Sequence, residues 1–261
     1  MNRVEPGLVS LVGAGPGHPD YLTLKGLRCL READVVFHDA LVTGEMLALA
    51  GDAECIDVGK RAGRESAAQD EIEEALIASS RRGLRVVRLK GGDAFVFGRG
   101  GEEAMALSAA GVPFEIVPGV SASIAAPALG GIPVTHRGVS SAFVVVNGAD
   151  PDAFEELVSG IAPGSVTVVV MMAFGARGAI ASALINLGWQ VRTPAAIVAG
   201  ASMAGAFTWR GTLAELGASA VPAAAAELPG TLVIGPVVAL PLSLADGAPS
   251  AVEMRVAHVR A

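Results

Sequence analysis

Short runs of branched apolar residues separated by polar, helix-periodic stretches set the rhythm of the first half of this 261-residue chain. Residues 8–12, 35–37, 54–58, 85–89 and 114–117 have the length and β-branched content of strands. Between them, 23–32 predicts a helix capped by Thr23. Ser66 and Gln69 form a capping box that opens a helix closed by Gly83, and 102–110 predicts a third helix, stopped by Gly111. Strands alternating with helices imply a parallel sheet. The break at Val117-Pro118-Gly119 is followed by a short connecting helix over 121–129. Further strands are expected at 142–147, 166–172, 195–198, 207–210 and 231–238, which reads as a second α/β domain. The expected layout is thus one domain over 1–118, a second over 119–240, and a loose tail over 241–261 rich in Ala, Pro and Ser.

Composition changes this picture little. Hydrophobic residues make up 52%, with 33 glycines and 15 prolines, as in a compact, many-stranded protein. Uncharged stretches such as 116–135 and 157–176 approach bilayer length, but Pro and Gly interrupt them at strand-sized intervals, so they predict buried strands and turns instead of membrane spans. The N-terminus lacks a hydrophobic signal-peptide core, so a cytoplasmic protein is expected. Cys29 and Cys55 stand apart and are expected to be buried thiols, and His18, His38, His136 and His258 have no ligand spacing, so no metal is predicted. A net charge of -7 argues against a general nucleic-acid surface. Most of the 19 basic residues nevertheless precede residue 121, and all but Lys25, Lys60 and Lys90 are Arg. The planar Arg fork suits carboxylates, so a polyanionic small molecule is the expected ligand of the first half.

The stretch Arg85 to Glu103, RVVRLKGGDAFVFGRGGEE, carries the most chemistry. A strand runs into a loop with five glycines, where Lys90, Asp93 and Arg99 flank an apolar Phe95-Val96-Phe97 that reads as buried. Such a loop brings backbone against a ligand. A rival site is Gly13-Ala14-Gly15-Pro16-Gly17, with Asp39 22 residues after Gly17, a spacing close to a dinucleotide-binding fingerprint. Pro16 removes a phosphate-facing N–H, however, and HPDYL separates the glycines from the cap at Thr23, so no helix N-terminus meets the loop.

VGAGPGHPDYLTLKG, HDALV, VGKRAG, RLKGGDAFVFGRGGEEA, VPGVSASIAAPALGGIPVTHRG and Met171-Met172, taken in order, resemble the tetrapyrrole methylases from about Leu8 to about Val238. The resemblance implies a two-domain α/β fold, each domain a mostly parallel sheet flanked by helices, with the active site in the cleft between them, usually in a homodimer. It implies S-adenosylmethionine as methyl donor, S-adenosylhomocysteine as product, and transfer of two methyl groups to C2 and C7 of uroporphyrinogen III, giving precorrin-2 by way of precorrin-1. Carried over by motif, Asp39 matches the family's proton acceptor and Lys60 its proton donor, although a ribose-binding or turn carboxylate and a solvated cation remain alternatives. Pro16, Gly91, Gly92, Asp93, Val96, Ser121, Ala122, Met172 and Ala201 fall where relatives contact the cofactor. Plain core positions for Val96 and Met172 and a helix cap for Ser121 stay open. Arg61, Arg99, His136 and Arg137 are candidates for the carboxylates of the macrocycle. Ala94 stands where the family commonly has Pro, and Ala173 where Gly is common. A later corrin methylase of the same fold, a nicotinamide-dependent dehydrogenase and a non-catalytic cofactor sensor are the alternatives.

Overall fold

A computed structural model describes residues 5–59, 69–242 and 244. The chain divides into two compact units, Met1–Ser121 and Ala122–Ala261. Lys60, Arg61 and Ser66 lie outside the described residues, as does most of 241–261.

The first unit runs β1 (Val9–Gly13), α1 (Leu24–Glu32), β2 (Val35–His38), the single turn α2 (Gly44–Leu47), β3 (Glu54–Asp57), α3 (Gln69–Arg81), β4 (Val86–Lys90), α4 (Gly100–Ala109) and β5 (Phe114–Val117). Its strands pair in the order β3-β2-β4-β1-β5, every pair parallel. The helix period is legible in the caps: the Thr23 hydroxyl accepts from Gly26 N at 3.0 Å and starts α1, and the positive φ of Gly111 follows the end of α4. One face of the sheet packs Val12, Val36, Val87 and Leu89 with Leu30 of α1 and Met46 of α2. The other packs Val9, Leu11, Phe37 and Val86 with Ile72 and Leu76 of α3 and Leu107 of α4. Because all five strands are parallel, their carboxyl ends share one edge.

The second unit follows with α5 (Ala122–Leu129), β6 (Phe143–Asn147), α6 (Pro151–Val158), β7 (Thr167–Met171), α7 (Arg177–Asn186), β8 (Pro194–Ala199), β9 (Phe207–Thr212), the single turns α8 (Leu213–Leu216) and α9 (Ala223–Ala226), and β10 (Gly230–Ile234). The α/β layering is as expected, but the strand directions differ. In the order β6-β7-β10-β8-β9 only β6 and β7 are parallel, while β10 is antiparallel to both neighbours and β8 to β9. The connection 200–206 is too short for the crossover that a parallel β8–β9 pair needs. The last strand also stops earlier than its hydrophobicity suggests, since Gly235 has φ 144 and Pro236 cannot continue a ladder. The apolar core runs from Phe154 and Val158 of α6 through Val168, Val170 and Leu232 of the sheet to Ile180 and Leu184 of α7.

Neither cysteine is buried. Cys55 is exposed because β3 is an edge strand with few covering residues, and Cys29 is half-buried beside Glu115. No helix among the described residues is long and apolar enough to cross a membrane.

Candidate active site

At the carboxyl edge of the first sheet three chain crossings touch through glycine. Gly15 and Gly92 exchange backbone hydrogen bonds, Gly15 N to Gly92 O at 3.1 Å and Gly92 N to Gly15 O at 2.8 Å. A Cβ on Gly13 would lie 2.6 Å from Gly119 Cα and 2.6 Å from Gly92 O, so none of these backbones tolerates a side chain on the facing side. The loops after β1, β4 and β5 are thereby fused into one surface of bare main chain. Asp93 locks it: Oδ2 accepts from Gly119 N at 2.8 Å and Oδ1 from Phe95 N at 2.8 Å. The place where a Rossmann fold would open a crevice for pyrophosphate is occupied by the Gly15–Gly92 pairing, and Pro19–Tyr21 form a 3-10 turn before α1 begins.

Beside this surface lies an open pocket of about 310 Å³ within the first unit, lined by Asp39, Leu41, Arg88, Lys90, Phe97 and Arg99 among others. Its floor is charged. Arg88 and Lys90 alternate on β4 and so share one sheet face; each is 2% exposed, and Glu103 in the first turn of α4 is fully buried. Glu103 Oε1 accepts from Arg88 Nε at 2.9 Å and from Lys90 Nζ at 2.8 Å. Arg88 Nη2 in turn donates to Asp39 Oδ1. Burial, with Arg88 close by, pushes the Lys90 amine below its usual value, and Glu103 offsets this only in part.

Phe95 and Phe97 are exposed, not buried, because the loop leaves the end of β4 with Ala94 tucked inward and, among the described residues, no element covers the aromatic rings. Phe97 and Arg99 are both left-handed, with φ 54 and 58. The Arg99 guanidinium is paired with Glu102, Nε to Oε1 at 3.0 Å, which holds the Glu102 carboxyl below the usual range. A carboxylate ligand of Arg99 would have to compete with that pair.

Of the expected cofactor residues, Pro16, Gly91, Gly92 and Asp93 gather on the glycine surface and Val96 sits half-buried in the same loop. Ser121 ends the first unit and Ala122 begins α5 in the second. Within the second unit, Met172 and Ala201 follow β7 and β8, whose carboxyl ends share one edge, as both strands run antiparallel to the β10 between them. Met172 is about half exposed with φ 58, and Ala201 is buried beside the left-handed Ser202. All four left-handed non-glycine residues among those described therefore lie in or next to expected site loops, where strained backbone concentrates. His136 and Arg137 sit exposed in the turn before β6, with His136 Nδ1 2.9 Å from Arg137 O. A smaller cavity of about 160 Å³, lined by Lys25, Cys29 and Glu115, is at the amino end of the strands, away from this surface.

The profile of the family described as Tetrapyrrole (Corrin/Porphyrin) Methylases matches residues 8–217. The chain belongs to the tetrapyrrole methylases. Among relatives of this family, the uroporphyrinogen-III C-methyltransferase of Methanocaldococcus jannaschii is 42% identical over 235 residues, 89% of this chain and 97% of that protein. Siroheme synthase 1 of Yersinia enterocolitica is 45% identical over 238 residues, and there the chain spans about half the relative, 49% of its length. The solved Thermus thermophilus uroporphyrin-III C-methyltransferase complexed with S-adenosylhomocysteine superposes with a TM-score of 0.73 at 39% identity, covering 89% of this chain and 99% of that one. A cobalt-precorrin-4 methyltransferase superposes at 0.76 with 25% identity over 88% of this chain and 95% of its own.

Arg88 and Glu103 were not among the residues singled out from the sequence. Two cations at alternate positions of a central strand were the available signal, since both must face one buried layer and require a buried counter-charge.

Proposed function

We propose that this tetrapyrrole methylase is an S-adenosylmethionine-dependent uroporphyrinogen-III C-methyltransferase, adding methyl groups at C2 and C7 to give precorrin-2 by way of precorrin-1. The observation that carries the reading is the pocket that sets Asp39 beside Lys90, Phe97 and Arg99 at the end of β4 and in the loop after it, in a chain 42% identical to a C-methyltransferase across nearly all of that enzyme. Bound S-adenosylmethionine supplies an electrophilic sulfonium methyl. What the chain must do is grip the donor, align an electron-rich pyrrole carbon with that methyl, and take up the proton the macrocycle then releases.

The glycine surface suits the donor. With no Cβ at Gly13 and Gly119 the three loops pack main chain against main chain, and Asp93 keeps them in register, which gives a bound donor a rigid backbone wall. Pro16, Gly91, Gly92, Asp93, Val96, Ser121, Ala122, Met172 and Ala201 are its proposed contacts. Asp39 is the proposed proton acceptor and Lys60 the proposed donor. Arg61, Arg99, His136 and Arg137 are proposed to meet the substrate carboxylates, and the enzyme is proposed to act as a cytoplasmic homodimer.

The reading is tested by calorimetric titration followed by turnover under anaerobic conditions. S-adenosylhomocysteine should bind and NAD should not, and uroporphyrinogen III should be consumed in preference to later, already methylated corrinoid intermediates. Consumption of a later intermediate alone would make this a different methylase of the same fold. Binding of NAD in place of S-adenosylhomocysteine would overturn the methylase reading.

A further inference from the structure

We infer that Arg88 is a positioning residue for the reaction, holding the Asp39 carboxylate in place from a buried anchor at Glu103. The inference rests on the assignment of Asp39 as proton acceptor. Apart from Arg88, Lys90 and Glu103, the face of the sheet on which they meet is apolar, packed by Val9, Leu11, Phe37, Val86, Ile72, Leu76 and Leu107. Charges set into such a layer lose hydration that their mutual attraction repays only with good geometry, and apolar side chains of similar volume commonly serve stability as well or better. Here the charges lead somewhere. Every donor nitrogen of Arg88 is used: Nε on Glu103, Nη1 on the carbonyls of Leu89 at 3.3 Å and Phe37 at 3.4 Å, and Nη2 on Asp39. The guanidinium has no freedom left, so it fixes the Asp39 oxygen it holds, while Asp39 N donates to Leu89 O at 3.2 Å and pins the backbone. Arg88 is 3% exposed in its side chain and Asp39 30%, so Asp39 is the most open member of this network at the pocket that Arg88 and Lys90 floor.

The test is a double-mutant cycle with Arg88→Met and Asp39→Asn. Removing Arg88 leaves the buried Lys90–Glu103 pair with balanced charge, so the variant is expected to fold and to bind S-adenosylhomocysteine as the wild type does. Its kcat for labelled methyl transfer should fall by about 10- to 100-fold, the range expected for a misplaced reacting group, with the KM for tetrapyrrole changed less than threefold. In the Asp39→Asn background the same change should cost less than about threefold, because Arg88 acts through Asp39. Arg88→Lys, whose single ammonium is too short to span Glu103 and Asp39, should lose kcat like Arg88→Met and gives the same reading if the Met variant does not fold. Multiplying losses, or a loss in KM alone, would overturn the proposal. A wild type that binds S-adenosylhomocysteine but methylates no tetrapyrrole would overturn both this proposal and the function on which it rests.

Discussion

Changing Glu103 to Gln removes one charge and almost no volume, and leaves the cations of Arg88 and Lys90 without a buried counter-ion. Both are 2% exposed and neither can turn to solvent without dismantling the α4 contact. Breaking a buried pair by removing one partner costs about 3 to 5 kcal/mol, a large part of the roughly 5 to 15 kcal/mol that holds a domain together. For a chain of this size that is a fall in Tm on the order of 10 °C. The deficit should depend on pH in a set direction. Lys90 in the folded protein already releases its proton more readily than in the unfolded chain, where the value is about 10.4. The unfolded state therefore binds more protons between the lowered folded value and about 10.4, and the stability contributed by this group rises with pH across that window. Losing Glu103, which pulls the Lys90 value back up, opens the window at lower pH. The gap between variant and wild type should narrow as pH is raised toward the unfolded-chain value of about 10.4. Scanning fluorimetry or calorimetry across that range reads it directly. A variant as stable as wild type at neutral pH, or a gap that widens with pH, would show that Glu103 does not neutralise these cations.

Asp39→Asn should lower kcat by roughly 10²- to 10⁴-fold, the usual contribution of a positioned base, with S-adenosylhomocysteine affinity unchanged by calorimetry. Asp93→Ala removes two carboxylate bonds to backbone N–H groups, each worth about 1.5 to 3 kcal/mol, and should weaken S-adenosylhomocysteine binding by at least about tenfold as the Gly119 loop loosens. Gly119→Ala would set a Cβ 2.6 Å from Gly13 Cα and is expected to cost about 3 kcal/mol or more, seen as a lower Tm and reduced soluble yield. Gly101→Ala, with nothing within 4 Å of its Cβ and a place in the first turn of α4, should be neutral or slightly stabilising in the same assay.

The first unit was legible because its signals are local. Five short apolar runs separated by capped helices leave few arrangements besides a parallel sheet, and Thr23 sits at a boundary that sequence alone marks. The second unit was read less well. Helix α7 is rich in Ala and small residues and lacks a strong apolar stripe to announce it, α6 is only two turns long with Phe154 and Val158 as its buried face, and the antiparallel direction of β8 and β9 follows from the shortness of 200–206. In the site, the glycine loop announced itself through residue type, while Asp39 was reached through the likeness of HDALV to the family, since its spacing alone pointed to the dinucleotide reading. Exposure of Phe95 and Phe97 was not legible, because an apolar triplet looks the same whether it fills a core or walls a pocket. The Arg88–Glu103 link was hidden for a different reason: it joins residues 15 apart on different elements, and only the packing of α4 on the sheet brings them together.

The most direct single measurement is the number of labelled methyl groups transferred from S-adenosylmethionine to uroporphyrinogen III by the purified protein under anaerobic conditions, read as mass gained by the tetrapyrrole. Two methyl groups per macrocycle are expected, with a singly methylated species rising and then falling. No gain in mass, from a protein that still binds S-adenosylhomocysteine, would contradict the assignment of this pocket to uroporphyrinogen III.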